Sequence, residues 1–592
     1  MLKRSRWSAA AIFLSVLAII GAVYWPVRRA EFIWDDIILF HDAASLRQDD
    51  SWLTFLVHGL NGYYNYFRPL VAAFFSLQLR LFDVRPGGMH LVSLALHLAN
   101  TALVCVVARR FAPTARPLLI AICALMYGLH PALVESVVWI SCQNELIVTF
   151  LVLIALWANA SIASRAWRAV VVSIIFFLAA CAKESAIALP LLIAIFDISN
   201  RARVSGKPWS ITLRNTLRAQ LGVYAALFLA GILYIALRTW ALGFIVASNS
   251  PTSFFSLGHF QKVCFTFMHY VQLAVWPMSD LSPLHEVVDS YFASFSWELL
   301  FQDFATAGLL VAGAVLFLKR QTLGALVLSF AAGLFAVLNI IPVPFVESVY
   351  HERYLTMPLA VCAAWLVPVM IDVLPQRRVY GLAMGVTALI WLAAAALNVR
   401  VTVPLWSDER SLWEWAARLT PNSLTVRQHL LSLYIMREDY SKARALARQL
   451  VDEAPGCQNC MLNVAFLALH DGNEPLAAIA LERLKSTPSL ARNKPVFQQY
   501  VLATGELREL RHDKTGAEEA YRDALTLDPD DPEATMELAA LLIVEGRIEE
   551  GERLGRRAIE LFAPDEKQRR QHVLDAILHD ATRTQRAQDH PQ

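Results

Sequence analysis

Apolar runs of about 20 residues recur along the first 400 positions and then stop. A hydrocarbon core of about 30 Å takes roughly that many residues as a helix. The first run is Ser8–Val27. Others lie near 88–108, 117–130, 145–163, 167–182, 185–199, 219–238, 299–318, 321–341, 354–374 and 379–398. The pattern predicts eleven spanning helices. Lys3, Arg4 and Arg6 precede the first run and place the N-terminus inside. No small-residue cleavage site follows, and Trp25-Pro26 with Arg28 and Arg29 suits an uncleaved anchor. The loops then expected to be cytoplasmic carry Arg109/Arg110/Arg116, Arg165/Arg168, Arg201/Arg203/Lys207/Arg214/Arg218, Lys319/Arg320 and Arg377/Arg378. That is the bias of the positive-inside rule. The stretch 260–277 is apolar but holds Lys262, His269 and Gln272, and counting it as a span would put the last two basic clusters outside. It reads as interfacial or re-entrant.

Beyond Arg400 the pattern changes to short helical stretches closed by proline. Pro421, Pro455, Pro488, Pro529 and Pro564 are spaced by 34, 33, 41 and 35 residues. At an offset of 34, Gly505 aligns with Ala539, Ala517 with Gly551, Tyr521 with Gly555 and Ala524 with Ala558. Small residues at fixed places let two helices touch closely. The period is that of a tetratricopeptide repeat, a helix–turn–helix unit that buries its face by stacking. Three to four units are expected from about 407 to 563, with an insertion near Asn493. The chain therefore reads as all-α. A multispanning membrane region covers 1–400, with a first outer loop over 28–87. A repeat solenoid covers 401–580, and a polar, disordered tail covers 581–592.

Charge follows the same division. Residues 1–400 hold 28 Lys+Arg and 19 Asp+Glu, net +9; residues 401–592 hold 24 and 31, net −7. Neither half carries the basic stripe of a nucleic-acid binder. Cys457 and Cys460 form a CxxC with no second pair to make a zinc site. Two unpaired turn cysteines and a local disulfide both fit.

Polar groups gather on the predicted outer face. FIWDD (Phe32–Asp36) and YYNYFRPL (Tyr63–Leu70) lie in the first outer loop. HPALVESVVWISCQNE (His130–Glu145), Lys183-Glu184 and VESVYHERYL (Val346–Leu355) lie in later ones. Adjacent carboxylates such as Asp35 and Asp36 can raise one another's pKa and leave one as a base or metal ligand. Glycosyl transfer from a phosphate leaving group needs a base for the acceptor hydroxyl and cations for the departing phosphate. Arg68, Lys183 and Arg353 are the outer-face cations available. Each feature also has a structural account. The acidic pair suits a solvated loop, and His130-Pro131 suits a helix start with Glu135 near its positive end. Lys183-Glu184 suits a hairpin ion pair and Arg353-Tyr354 an interfacial anchor. There is no nucleotide-type glycine loop, GxSxG or HExxH. A nucleotide-sugar enzyme is therefore not indicated.

Six segments in order carry a resemblance: FIWDD, YFRPL, GMHLVSLALHLANTALV (88–104), LHPALVESVVWIS (129–141), KESAIALPLL (183–192) and HERYLTMPLA (351–360). With the repeats behind them, they resemble the transmembrane and tetratricopeptide-repeat O-mannosyltransferases and their bacterial relatives, which have the GT-C fold. The resemblance implies an inverting glycosyltransferase, without metal or other cofactor. It would move a single sugar, mannose in the family, from a polyprenyl-phosphate carrier to hydroxyls of exported proteins. It implies that Asp35 is the base with Asp36 secondary, that Arg68 and Lys183 bind donor phosphate and Arg353 closes the site, and that His130, Glu135 and Glu184 shape it. Leu133-Val134 stand where the family often has a second histidine. Two other functions fit the residues: transfer to a lipid or glycan, and a non-catalytic scaffold whose repeats assemble proteins. Ala/Arg-rich usage points to a bacterial inner membrane with the repeats in the periplasm.

Overall fold

The structure is a computed structural model that describes residues 2–41, 66–243, 256–287, 289–341, 348–373, 378–562 and 566–589. Tyr63–Asn65, Val346, Glu347, Arg377 and Pro564 lie outside the described residues. The described residues form helices and no strand. They fall into two compact units, Met1–Leu419 and Thr420–Gln592.

Among the described residues of the first unit, nine helices are long and apolar enough to cross a membrane: Ala9–Arg29, Pro86–Phe111, Ile140–Ser161, Arg165–Ala182, Glu184–Ser205, Trp209–Leu242, Trp297–Leu318, Glu352–Val373 and Gly381–Leu405. The protein is a multipass membrane protein. Two of the eleven expected spans differ. The run 117–130 is a helix Pro117–Gly128 followed, after a bend of 54°, by Pro131–Val138. Pro131 has no N–H to continue the first helix, so the chain turns at Leu129-His130. The run 321–341 forms only the 13-residue helix Thr322–Leu334. Most of the stretch 260–277 lies in the 19-residue helix Leu257–Val275, which is not among the nine. Pro86–Phe111, Ile140–Ser161 and Glu352–Val373 are well enclosed by protein, and Trp297–Leu318 and Gly381–Leu405 are the least enclosed.

Several polar side chains inside the unit bond from one helix to another. His97 Nε2 lies 2.9 Å from the Gly128 carbonyl, and Asn100 donates to the Leu146 carbonyl at 3.0 Å. Gln143 donates to the Met89 carbonyl at 3.1 Å and to Ser93 at 3.0 Å. Such bonds hold Pro86–Phe111 against its neighbours.

The second unit is four helical hairpins: 424–436 with 440–453, 458–470 with 474–485, 494–510 with 514–527, and 532–544 with 548–561. Their first helices start 34, 36 and 38 residues apart (424, 458, 494, 532). A short turn at Leu490–Arg492 takes up the extra length expected near Asn493. The small residues do what their spacing suggests. A Cβ on Gly505 would strike the Tyr521 ring, one on Gly551 the Ile543 side chain, and one on Gly555 the Leu574 side chain. Cys457 and Cys460 are joined as a disulfide at the start of the helix Gln458–His470. Two expectations change. The expected repeat region begins inside the first unit, since the helix Glu409–Leu419 belongs there. The expected disordered tail is helical as far as Asp589, because the helix that begins at Lys567 continues through it.

Candidate active site

The acidic pair opens a short helix, Asp35–His41, immediately after Trp34. Trp34 has a φ of 51°, a left-handed value that costs a bulky residue about 1–3 kcal/mol. Its surroundings hold it there. Its ring stacks on Trp139 at 4.7 Å and meets the edge of Trp413 at 5.1 Å. Its N–H donates to Glu409 Oε1 at 3.2 Å. The turn sends the two carboxylates different ways.

Asp36 is fully buried and accepts from the N–H of Ile140 at 3.3 Å, the N–H of Ser141 at 2.7 Å and the Ser141 hydroxyl. It ties the helix start to the segment before Gln143–Ser161. Burial pushes its carboxyl up to about 7; the Ser141 bonds pull the other way, and the neighbouring Asp35 adds a smaller push. Asp35 is half-buried and lines a cavity of about 120 Å³ with Tyr66, Arg68, Trp139, Lys183, Arg353 and Tyr354. Burial also raises the Asp35 carboxyl above the ordinary range, with Arg353 opposing the shift.

Three cations share this cavity, and each is held by a carboxylate. Arg68 precedes the helix Pro69–Phe82, lies over the Tyr66 ring at 4.2 Å and donates to Glu184 Oε2 at 3.0 Å. Arg238 reaches the other oxygen of Glu184, also at 3.0 Å. Lys183 ends the helix Arg165–Ala182, pairs with Glu145, and has its ammonium 4.5 Å from the Tyr354 ring centre. Arg353 pairs with Glu135, to which its own N–H also donates at 2.8 Å. Its guanidinium lies 5.0 Å from both the Trp139 and Tyr354 rings. The result is one carboxylate facing three oriented cations across an aromatic floor. Those are the elements needed to take a proton from a hydroxyl and to receive a phosphate.

Asp35, Arg68, Lys183 and Arg353 thus meet in one cavity. Glu135 and Glu184 stand behind it, holding arginines. His130 is elsewhere: its Nε2 lies 3.2 Å from the Ala274 carbonyl, and it lines a separate apolar cavity of about 320 Å³ with Trp391. The helix break at Leu129 turns it away from the acidic pair. Four contributors have no expected role in the site: Glu145, Arg238, Trp139, and Tyr354, which reads in sequence as an interfacial anchor. The aromatic pair could be found by the rule that cations and aromatics sharing a site tend to stack. A further cluster lies in the same unit. His285 Nε2 is 3.0 Å from Glu352 Oε1, its ring stacks on Tyr350 at 4.0 Å, and the Tyr350 hydroxyl donates to Asp280 at 3.3 Å.

No family model matches the chain. The chain is similar to the protein O-mannosyl-transferase Tmtc1 of Drosophila melanogaster, with 31% identity over 193 residues. The match covers 32% of this chain and 22% of that relative, so it spans less than a quarter of the relative's length.

Proposed function

We propose that this protein is a glycosyltransferase that moves a single sugar, mannose by analogy with the name of its relative, from a polyprenyl-phosphate donor to a hydroxyl of an exported protein. The observation that carries the reading is the cavity in which half-buried Asp35 shares walls with Arg68, Lys183 and Arg353. Asp35 takes the acceptor hydroxyl proton as the hydroxyl oxygen forms its bond to the anomeric carbon. The bond from that carbon to the donor phosphate breaks on the opposite face. The phosphate leaves with the electron pair, and the configuration inverts. The three cations stabilise the charge that builds on the leaving group, an effect of several kcal/mol in a water-poor site. Arg suits the phosphate oxygens through its planar fork. The helical hairpins of residues 424–561 are read as tetratricopeptide repeats that present the acceptor outside the cytoplasm; in a bacterial cell that is the periplasm.

The test uses the full chain in proteoliposomes with radiolabelled polyprenyl-phosphate mannose and exported-protein acceptors. Asp35→Asn should lower the transfer rate by roughly 10²–10⁴ without loss of folded protein. In the parent, transfer should rise with pH through a pKa above the usual carboxylate range, because the base works only when deprotonated. Undiminished transfer by Asp35→Asn refutes the assignment. Label recovered only in lipid or glycan would retain the chemistry and replace the acceptor. No label transfer by the parent would favour a scaffold.

A further inference from the structure

A second polar cavity lies in the same unit, at the other end of the same helices. The helix Gln143–Ser161 starts beside Ser141, which holds Asp36, and carries Asn159 near its far end. The helix Arg165–Ala182 ends at Lys183 and carries Arg168 near its start. At 1.5 Å per residue these separations are about 22–24 Å, most of a bilayer core. The cavity measures about 640 Å³, within the ~300–1,000 Å³ typical of ligand sites.

Its walls carry five cations: Arg109, Arg110, Arg168, Arg201 and Lys207. Loop arginines on this side are what the positive-inside rule produces, and water alone could solvate them. The floor is less easily explained. Asp197, Asn159 and Gln220 belong to three spanning helices and are each under a tenth exposed. Asp197 accepts from Asn159 at 3.0 Å, from Gln220 Nε2 at 2.8 Å and from the Tyr224 hydroxyl at 3.3 Å. Gln220 Nε2 also reaches Asn159 Oδ1 at 3.3 Å. Two acceptors around one atom fix which end of the amide is nitrogen. The other end, Gln220 Oε1, is buried without a hydrogen-bond partner, as is Arg168 Nε. Gln220 and Arg168 both line the cavity, and an unfilled acceptor and an unfilled guanidinium donor just behind its wall are each costly. None of the five cations has a carboxylate within 4 Å among the described residues. That contrasts with the acidic-pair cavity, where every cation is paired.

The geometry points to a binding site for an anionic phosphate ester that carries a free hydroxyl, as in a phosphoglycerol headgroup. The phosphate meets the arginines, and the hydroxyl donates to Gln220 Oε1. Buried polar groups that cluster on spanning helices are characteristic of functional sites. The same chemistry could be offered by a lipid headgroup or by a soluble polyol phosphate, and this site does not depend on the transferase reading.

Native mass spectrometry of the full chain in detergent tests it with four probes: dioleoyl phosphatidylglycerol, the phosphatidylmethanol of equal charge without a free hydroxyl, phosphatidylcholine, and soluble glycerol phosphate. Phosphatidylglycerol should bind about tenfold or more tighter than phosphatidylcholine, as charge-assisted contacts require. Phosphatidylmethanol should fall between them. The Arg110 and Lys207 side chains make no hydrogen bond or ion pair among the described residues, so Arg110→Gln with Lys207→Gln should leave the thermal midpoint unchanged and abolish the preference. Glycerol phosphate binding as tightly as phosphatidylglycerol supports the site and names a soluble ligand; binding of the lipid alone supports it and names a lipid. Equal binding of phosphatidylglycerol and phosphatidylcholine overturns the proposal, as does phosphatidylglycerol binding that survives the double substitution. Equal binding of phosphatidylmethanol and phosphatidylglycerol overturns the hydroxyl contact.

Discussion

Replacing Asp36 by asparagine separates the two carboxylates by stability instead of by catalysis. Burial raises the folded Asp36 carboxyl from 3.8 to about 7. A group whose folded pKa is raised binds its proton more tightly when folded, so folding is favoured while the proton stays on. Stability from this source is full below about pH 4, falls between pH 4 and 7, and is lost above. A shift of about three units at 1.36 kcal/mol each gives a ceiling of about 4 kcal/mol. The carboxamide of the Asp36→Asn variant cannot ionise, which removes that slope. Its oxygen can still accept from Ser141, so the fold near Ile140 survives. The assay is the melting midpoint of parent and variant in detergent from pH 4 to 9. The parent should lose midpoint relative to Asp36→Asn as pH rises through 4 to 7 and run parallel above 8. A difference that stays constant across the range refutes the placement of Asp36 as a buried, proton-holding clamp. A parent that gains relative to the variant with rising pH would mean that the Ser141 and Ile140 bonds outweigh burial.

Glu184→Gln removes the carboxylate shared by Arg68 and Arg238, both at 3.0 Å. It should raise the donor KM roughly tenfold with a smaller fall in kcat, as expected when a charge-assisted contact to the donor is weakened; steady-state transfer kinetics decide. Gly505→Val drives a side chain into the Tyr521 ring and should destabilise the hairpin unit by about 1–3 kcal/mol, read by circular-dichroism melting of the full chain. Burial, then the neighbouring Glu537 and Glu509, push the Glu506 carboxyl up to about 8. Its contribution to folding is therefore full below about pH 4.5 and gone above 8. Glu506→Gln should melt higher than the parent at pH 9 and converge with it near pH 4.

Nine of the eleven expected spans appear as single long helices because a 20-residue apolar run leaves the backbone little choice in lipid. The two that differ do so for opposite reasons. His130-Pro131 looks in sequence like the end of one span, yet the chain carries on from Pro131 to Val138 at 54°. The run 321–341 is apolar throughout, but composition does not say where a helix stops, and this one stops at Leu334. In the candidate site, Asp35, Arg68, Lys183 and Arg353 are legible as polar residues on one predicted face. Their partners are not. Glu145 sits in a spanning run, and Arg238 near the end of Trp209–Leu242 looks in sequence like an ordinary basic flank. Only the packing of distant helices assigns Glu145 to Lys183 and Glu184 to two arginines. The position of His130 is hidden because a proline turn gives no direction in sequence. The hairpin unit is legible because the small residues that permit close contact recur at the repeat period, and the contacts fall where the alignment puts them.

The pairing of every cation with a carboxylate bears on how such a site functions. Three bare cations in a cavity of about 120 Å³ would repel one another, and desolvating each would cost several kcal/mol. With Glu184, Glu145 and Glu135 behind them, Arg68, Lys183 and Arg353 are held in place before any ligand arrives. The carboxylates lie behind the cations and Asp35 lies in the cavity itself, so under the proposed function the cations would still present donors to an incoming phosphate. Preorganisation of that kind lowers the cost of reorganising dipoles as charge moves onto the leaving group. It also separates the roles of five acids. Glu135, Glu145 and Glu184 hold cations and Asp36 holds backbone. Asp35 lines the cavity and makes no ion pair among the described residues, which is why the proposed function gives the proton transfer to it.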